Sequence, residues 1–145
     1  MKMTKNYKII GSFIKDMSSE TPDTPTYIFV RDKISKYKLK IDINSKSVKD
    51  GIIEVNTILR FLDHPEILKK AHFEITYTSI VRVDEKVSDR SNKKEMEKII
   101  LCDVPNKIYP DLERIFLNLL TDSGYPGIKF EKKVDFTELY KQRAN

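Results

Sequence analysis

His64 and His72 stand eight residues apart with Glu66 between them, the nearest approach in this chain to a metal-ligand set. Pro65 breaks the run beside His64, so no planned ligand geometry follows, and no metal is expected. Cys102 is the only cysteine. A thiolate paired with either histidine would make a nucleophile, but a thiol at the end of a strand more often serves as a small core residue. Asp16 and Glu20 are carboxylates close enough in sequence for acid–base work, yet nothing near them resembles a substrate pocket. Four glycines form no phosphate-cradling loop, and neither a GxSxG nor a Walker sequence occurs. The expectation is therefore no catalytic residue, no cofactor and no enzyme.

Composition narrows the classes that remain. At 145 residues, 39% hydrophobic and 34% charged, the chain reads as one globular domain, 1–145, with a modest core and a heavily solvated surface. A lone cysteine allows no internal disulfide and fits a reducing cytoplasm. The start, MKMTKNYKIIGSFIKD, has an apolar run too short and too broken for a signal peptide, and no stretch approaches membrane-spanning length. The net charge of +5 permits an anionic partner, but only six of the 27 cations are Arg, the residue that base and phosphate recognition favours. The lysines read mainly as a solvating bias, with one local cluster at Lys33, Lys36, Lys38, Lys40, Lys46 and Lys49.

The elements that must position these residues come from periodicity. Residues 7–14 are a short apolar run ending in FIKDMSSETPDTP, residues 13–25, an acidic island whose Pro22 and Pro25 predict extended backbone. YIFV at 27–30 reads either as a short strand or as a turn of helix. Residues 36–43 alternate, with Tyr37, Leu39, Ile41 and Ile43 on one face. Asp50-Gly51 marks a turn, expected to belong to a connection longer than a tight hairpin. Ile53 to Phe61 and His72 to Val83 alternate again. The second of these places Phe73, Ile75 and Tyr77 on one face and His72, Glu74 and Thr76 on the other.

After a polar loop at 84–94, a further main strand is expected near 95–102. Pro110 suits a first helical position. Ile108, Leu112, Ile115, Phe116, Leu119 and Leu120 then make one buried stripe, ended by Gly124 and Pro126. A second helix opens at Asp135, with Glu138 as capping partner. The reading is α+β: a four-stranded antiparallel sheet, mainly over 1–106, followed by one long and one short C-terminal helix over 107–145. Such a sheet cannot easily cover every aromatic and aliphatic side chain. The surplus is either scattered surface or a set of grooves and oligomer contacts.

Four stretches, taken in order, resemble the SecB family of protein-export chaperones over nearly the whole chain. They are FIKDMSSETPDTP, HFEITYTSIV, VPNKIYP, and GYPGIKF followed by VDFTELY. The resemblance implies a cytoplasmic, ATP-independent holdase that binds unfolded preproteins and delivers them to the motor ATPase SecA. It implies a homotetramer, a dimer of dimers paired through sheet edges and long helices. Leu112, Ile115, Phe116 and Leu119 fall at the helix-packing or oligomer positions. The SecA-docking positions correspond to Asp16, Glu20, His72 and Glu74, and the client-groove region to Phe73, Ile75 and Tyr77.

The chain departs from the family in several places. Family members are typically acidic and this chain is basic. Thr78-Ser79 replace a glycine pair, Asp111, Leu112 and Glu113 replace Tyr-Ala-Arg, and His72 replaces an apolar docking residue. Two rivals stand beside the export reading. One is a SecB-like chaperone dedicated to a single client such as an antitoxin. The other is a small basic nucleic-acid-binding protein using the Lys36, Lys38 and Lys40 face, although neither nucleic acid nor membrane insertion is the expected partner. Without the resemblance, the acids of the island would read as a solvated turn.

Overall fold

A computed structural model describes residues 6–84, 93–130 and 134–144. Four antiparallel strands form one sheet: β1 (Tyr7–Glu20), β2 (Lys38–Lys49), β3 (Ile52–Leu62) and β4 (His72–Val83). Their spatial order is β1-β4-β3-β2, which leaves β1 and β2 as the two edges. The connection from β1 to β2 therefore crosses the sheet. It carries helix α1 (Thr24–Arg31) and a 3-10 turn at Ile34–Lys36. Its Val30, Ile34 and Tyr37 are buried in the core with Phe61 and Phe73. The Tyr37 hydroxyl accepts the Ala71 N–H at 3.0 Å, tying the crossover to the entry of β4.

The acidic island divides between a strand and a helix. β1 continues to Glu20 because the long β4 offers it partners as far as Glu20 opposite His72. An irregularity between Ile14 and Asp16 absorbs Lys15 and shifts the side-chain phase. Only Pro22 ends the pairing. Pro25 does not extend the backbone; it sits in the first turn of α1, where its missing N–H costs nothing. Asp23 caps that helix, its carboxylate accepting the Thr26 N–H at 2.8 Å, and YIFV is helical.

Hydrogen bonds from the Thr26 side chain and backbone hold the Asp23 carboxyl below its ordinary range. A depressed carboxyl contributes its full stability at neutral pH and loses it as pH falls through the folded value. Asp23→Ala is therefore expected to lower the melting temperature near neutral pH. That deficit should shrink well below the carboxylate range, whereas Asp23→Asn, which keeps an acceptor, should retain most of the neutral stability. Melts of the three proteins at the two pH values check this.

Other expectations change at turns and prolines. Lys49 pairs with Ile52, so Asp50-Gly51 is a two-residue turn, with Gly51 at φ +76° and Val48 bulged out just before it. The earlier expectation of a longer connection fails because the bulge absorbs the extra residue. Residues 95–102 are not a strand. Helix α2 (Lys93–Lys98) runs into a π-helical segment (Ile99–Asp103) and then into α3 (Val104–Asp122). Met96, Ile99 and Ile100 sit at helical spacing, and the β-branched Ile99-Ile100 pair favours a strand that tertiary packing overrides. Of the polar loop expected at 84–94, residues 85–92 lie outside the described residues, and 93–94 are already helical.

The C-terminal helical region thus starts at Lys93 rather than at 107, and Pro110 lies inside α3 rather than at its start. Pro105 takes the first turn instead. The π turn immediately before it has a physical cause. Proline cannot donate, and its ring crowds the carbonyl four residues back. A wider turn, closed by the Val104 N–H on the Ile99 carbonyl, relieves both.

α3 ends as expected. The Tyr125 N–H bonds Leu120 O at 2.9 Å and the Gly124 N–H bonds Thr121 O at 3.1 Å. Gly124 sits at φ +101° with the Tyr27 ring against it. Helix α4 (Phe136–Ala144) follows, and Asp135 accepts the N–H groups of Thr137 and Glu138. The main core lies between α3 and the inner face of the sheet, where Phe73, Ile75, Leu59, Leu112 and Phe116 have no exposed surface.

Candidate functional site on the sheet face

Strand parity and register decide which charged side chains meet. On β4, alternate residues His72, Glu74 and Thr76 turn away from the helices, onto the outer face. Antiparallel pairing sets Glu20 opposite His72, Ser18 opposite Glu74 and Asp16 opposite Thr76. All four residues singled out for docking, Asp16, Glu20, His72 and Glu74, therefore share one corner of the outer face. The two strands that carry them are not adjacent in sequence, so the pairing itself assembles the patch.

Within the patch the carboxylates are not equivalent. Glu74 is bound by the Arg60 Nε, and the Arg60 Nη1 holds Asp42 Oδ2 at 2.7 Å. One guanidinium thus bridges β2, β3 and β4 and neutralises much of the charge at Glu74. The Asp16 and Glu20 side chains are exposed and make no hydrogen bond or ion pair among the described residues. They are the free negative charge of the patch.

The middle of the outer face is polar and partly closed. Thr78 Oγ1 donates to Asn56 Oδ1 at 2.6 Å, and Asn56 Nδ2 donates to Asn44 Oδ1 at 2.8 Å, a ladder across three strands. Asn56 and Lys15 both reach Glu54, at 3.0 and 3.2 Å, and together they hold its carboxyl below the ordinary range. Only the register reveals this ladder, because nothing in the sequence says that Asn44, Asn56 and Thr78 stand in line. At the far edge, the outer-facing side chains of β2 are mostly cationic: Lys38, Lys40, Lys46 and Lys49, all exposed. The outer face is acidic at the C-terminal end of β1 and basic along β2.

The inner face assigns the apolar residues. Phe73 and Ile75 are 0% exposed beneath α3, so they offer no surface to a client in this subunit. Tyr77 is only partly buried. Leu112 and Phe116 are likewise spent on the subunit's own core, while Ile115 and Leu119 keep part of their surface. An open apolar hollow of about 270 Å³ lies elsewhere, between β2 and the helical end, lined by Ile41, Ile43, Leu101, Phe136, Leu139 and Tyr140 among others. Asn106 fastens α4 over it, accepting the Phe136 N–H at 3.3 Å and donating to Thr137 Oγ1 at 3.1 Å.

Cys102 is 4% exposed, with its sulfur 3.3 Å from Thr137 Oγ1, and so it packs as a core residue with no opening to a substrate. His64 lies in the loop after β3, with Nδ1 accepting the Glu66 N–H, apart from His72 on the sheet. Among the described residues, no group of three or more His, Cys, Asp or Glu could hold a metal ion. No helix among them is long and apolar enough to cross a membrane. The β1 edge carries Ile10, Phe13, Ile14 and Met17, each with between 43% and 45% of its surface exposed.

Known proteins match this chain over nearly its full length. The family model described as SecB, preprotein translocase subunit SecB, matches residues 2–145. A candidate protein-export protein SecB of Pelagibacter ubique is 92% identical over 143 residues, covering 99% of this chain and all of the relative. The protein-export protein SecB of Parvibaculum lavamentivorans is 25% identical, over 94% of this chain and 77% of its own length. Among solved structures, a SecB-like chaperone of Mycobacterium tuberculosis, in complex with a peptide from an antitoxin, superposes with a TM-score of 0.61. That match covers 89% of this chain and 91% of the other at 10% identity, a likeness of fold.

Proposed function

The chain belongs to the SecB family of protein-export chaperones, and from that premise we propose that it is an ATP-independent holdase. It binds unfolded preproteins in the cytoplasm and passes them to the motor ATPase SecA. Binding the non-native chain in preference to the folded one delays folding by mass action, without any chemical step. The observation that carries the delivery half is the free acidic corner. In a chain of net charge +5, Asp16 and Glu20 stand exposed and unpaired where β1 meets β4. A local field of that sign suits a cationic docking segment.

The open β1 edge supports the reading of an assembly that is a dimer of dimers. An edge strand, open along one side and carrying four half-exposed large apolar residues, is a surface that isolated soluble subunits avoid. Pairing β1 with its copy would extend the sheet, and Ile115 and Leu119 on α3 would supply the helix contacts. Client contact falls to Tyr77 and to the apolar hollow beside α4, since Phe73 and Ile75 support the surface from below.

Native mass, recorded alone, with a reduced unfolded preprotein and with a SecA C-terminal peptide, tests the proposal. The expected result is four chains alone, one client per tetramer, and peptide binding that client does not abolish. A monomer that ignores both additions would overturn it.

A further inference from the structure

We propose that the end of the sheet at the β2–β3 turn is a peripheral contact for an anionic phospholipid surface. The inference goes beyond the holdase reading and stands independently of it.

The pairing registers build the contact. Lys8 on β1 lies opposite Arg82 on β4, Arg82 opposite Ile52 on β3, and Ile52 opposite Lys49 on β2. One row across the end of the outer face therefore carries three cations, over about 14 Å at the usual strand spacing. All three are exposed and make no ion pair among the described residues. Beside them, the bulge between Ser47 and Lys49 turns Val48 outward, with 56% of its surface exposed. α2 stands at the same end and brings Lys93, Lys94 and Lys98, all exposed. Its Met96 joins Lys49 and Arg82 among the residues lining an open hollow of about 960 Å³. The acids of this end are Asp50, Asp84, Glu95 and Glu97, of which Glu95 accepts the Asn6 side-chain amide at 3.0 Å. Glu54, further in, is held by Lys15 and Asn56.

Cations beside a protruding aliphatic side chain match a bilayer interface. Ammonium and guanidinium groups meet lipid phosphates while the aliphatic group enters the headgroup boundary. Nucleic acid fits less well, because single strands stack their bases on aromatic rings, and neither the row nor the bulge carries one. The acidic corner does not oppose the contact. Glu20 lies opposite His72, which is ten residues from Arg82 along β4. That separation is about 33 Å, well beyond a screening length of about 8–10 Å. Lysines that merely solvate the surface would make net charge, not position, decide any retention on lipid.

The test uses the full chain and sedimentation with vesicles of phosphatidylcholine, alone or mixed in equal parts with phosphatidylglycerol. The expected result is retention on the mixed vesicles at low salt, release at high salt, and no retention on phosphatidylcholine alone. Lys8→Glu with Lys49→Glu is expected to weaken retention by about 25-fold or more, at roughly fivefold for each cation lost. Lys36→Glu with Lys70→Glu changes the net charge equally, on exposed residues that precede β2 and β4 at the opposite end of the sheet. That control should weaken retention by less than about threefold. Val48→Ser should weaken it several-fold and leave its salt dependence unchanged. Should the reversal at Lys8 and Lys49 disturb the melt, Lys8→Gln with Lys49→Gln reads the same contact. No retention on the mixed vesicles, or equal losses in the two reversals, overturns the inference. Preference for a uridine oligonucleotide over the mixed vesicles at equal phosphate also overturns it and assigns the row to nucleic acid. Client holding, followed in parallel, is expected to persist in every variant.

Discussion

Phe116→Ala is expected to remove about 3–5 kcal/mol of unfolding free energy, out of a total on the order of 5–15 kcal/mol for a domain. Phe116 has no exposed surface and stacks on Phe130 with ring centroids 6.2 Å apart. It belongs to the cluster in which Leu112 and Leu120 from α3 meet Leu59, Phe73 and Ile75 from the sheet. Truncation removes buried apolar surface and leaves a cavity that a sheet on one side and a helix on the other can close only in part.

Leu68→Ala is the matched control, because Leu68 is 95% exposed and the same kind of truncation should cost nearly nothing. Urea unfolding at one fixed protein concentration measures both, the concentration being held because assembly adds to apparent stability. A loss at Phe116 no larger than that at Leu68 would mean that α3 does not hold the sheet.

The inner face of this sheet was legible from sequence because a half-buried strand must alternate. Tyr37 to Ile43, Ile53 to Phe61 and Phe73 to Val83 each show that alternation, and the structure keeps every one of those phases. Helix ends were legible where a side chain or a glycine makes the cap, as at Gly124 and Asp135. What escaped depends on partners distant in sequence. β1 runs past its apolar residues to Glu20 because β4 supplies a ladder, and no local propensity in MSSE says so. Residues 95–102 carry the β-branched pair Ile99-Ile100, which reads as part of a strand until the packing of a helix overrides it. Of two prolines five residues apart, Pro110 looks the better helix start; the wider π turn is what lets the helix begin before Pro105.

The outer face shows the same division. That Glu74 points outward follows from its position in β4. That Arg60 neutralises it, while Asp16 and Glu20 remain free, follows only from the register of three strands.

That difference between the acids sets the form of the docking experiment. Reversing Asp16 and Glu20 together to Lys is expected to weaken binding of a SecA C-terminal peptide by about 100-fold, at roughly tenfold for each exposed charge reversed. Both side chains are exposed and without protein partners, so their replacement removes nothing from the fold and client holding should persist. Glu74→Lys is a poorer probe. It would set a second cation against Arg60, break the bridge to β3, and mix a stability loss with any loss of docking.

Salt provides an independent reading of the same contact, because exposed charges are screened over about 8–10 Å at physiological ionic strength. Peptide affinity of the natural chain should fall steeply with salt, and that of the double variant should be low and flat. Titration of the peptide against both proteins at two salt concentrations, with client holding followed in parallel, gives four affinities and a salt slope for each protein. Unchanged affinity in the double variant would leave the acidic corner as a solvated strand end and move the motor's docking site elsewhere on the subunit.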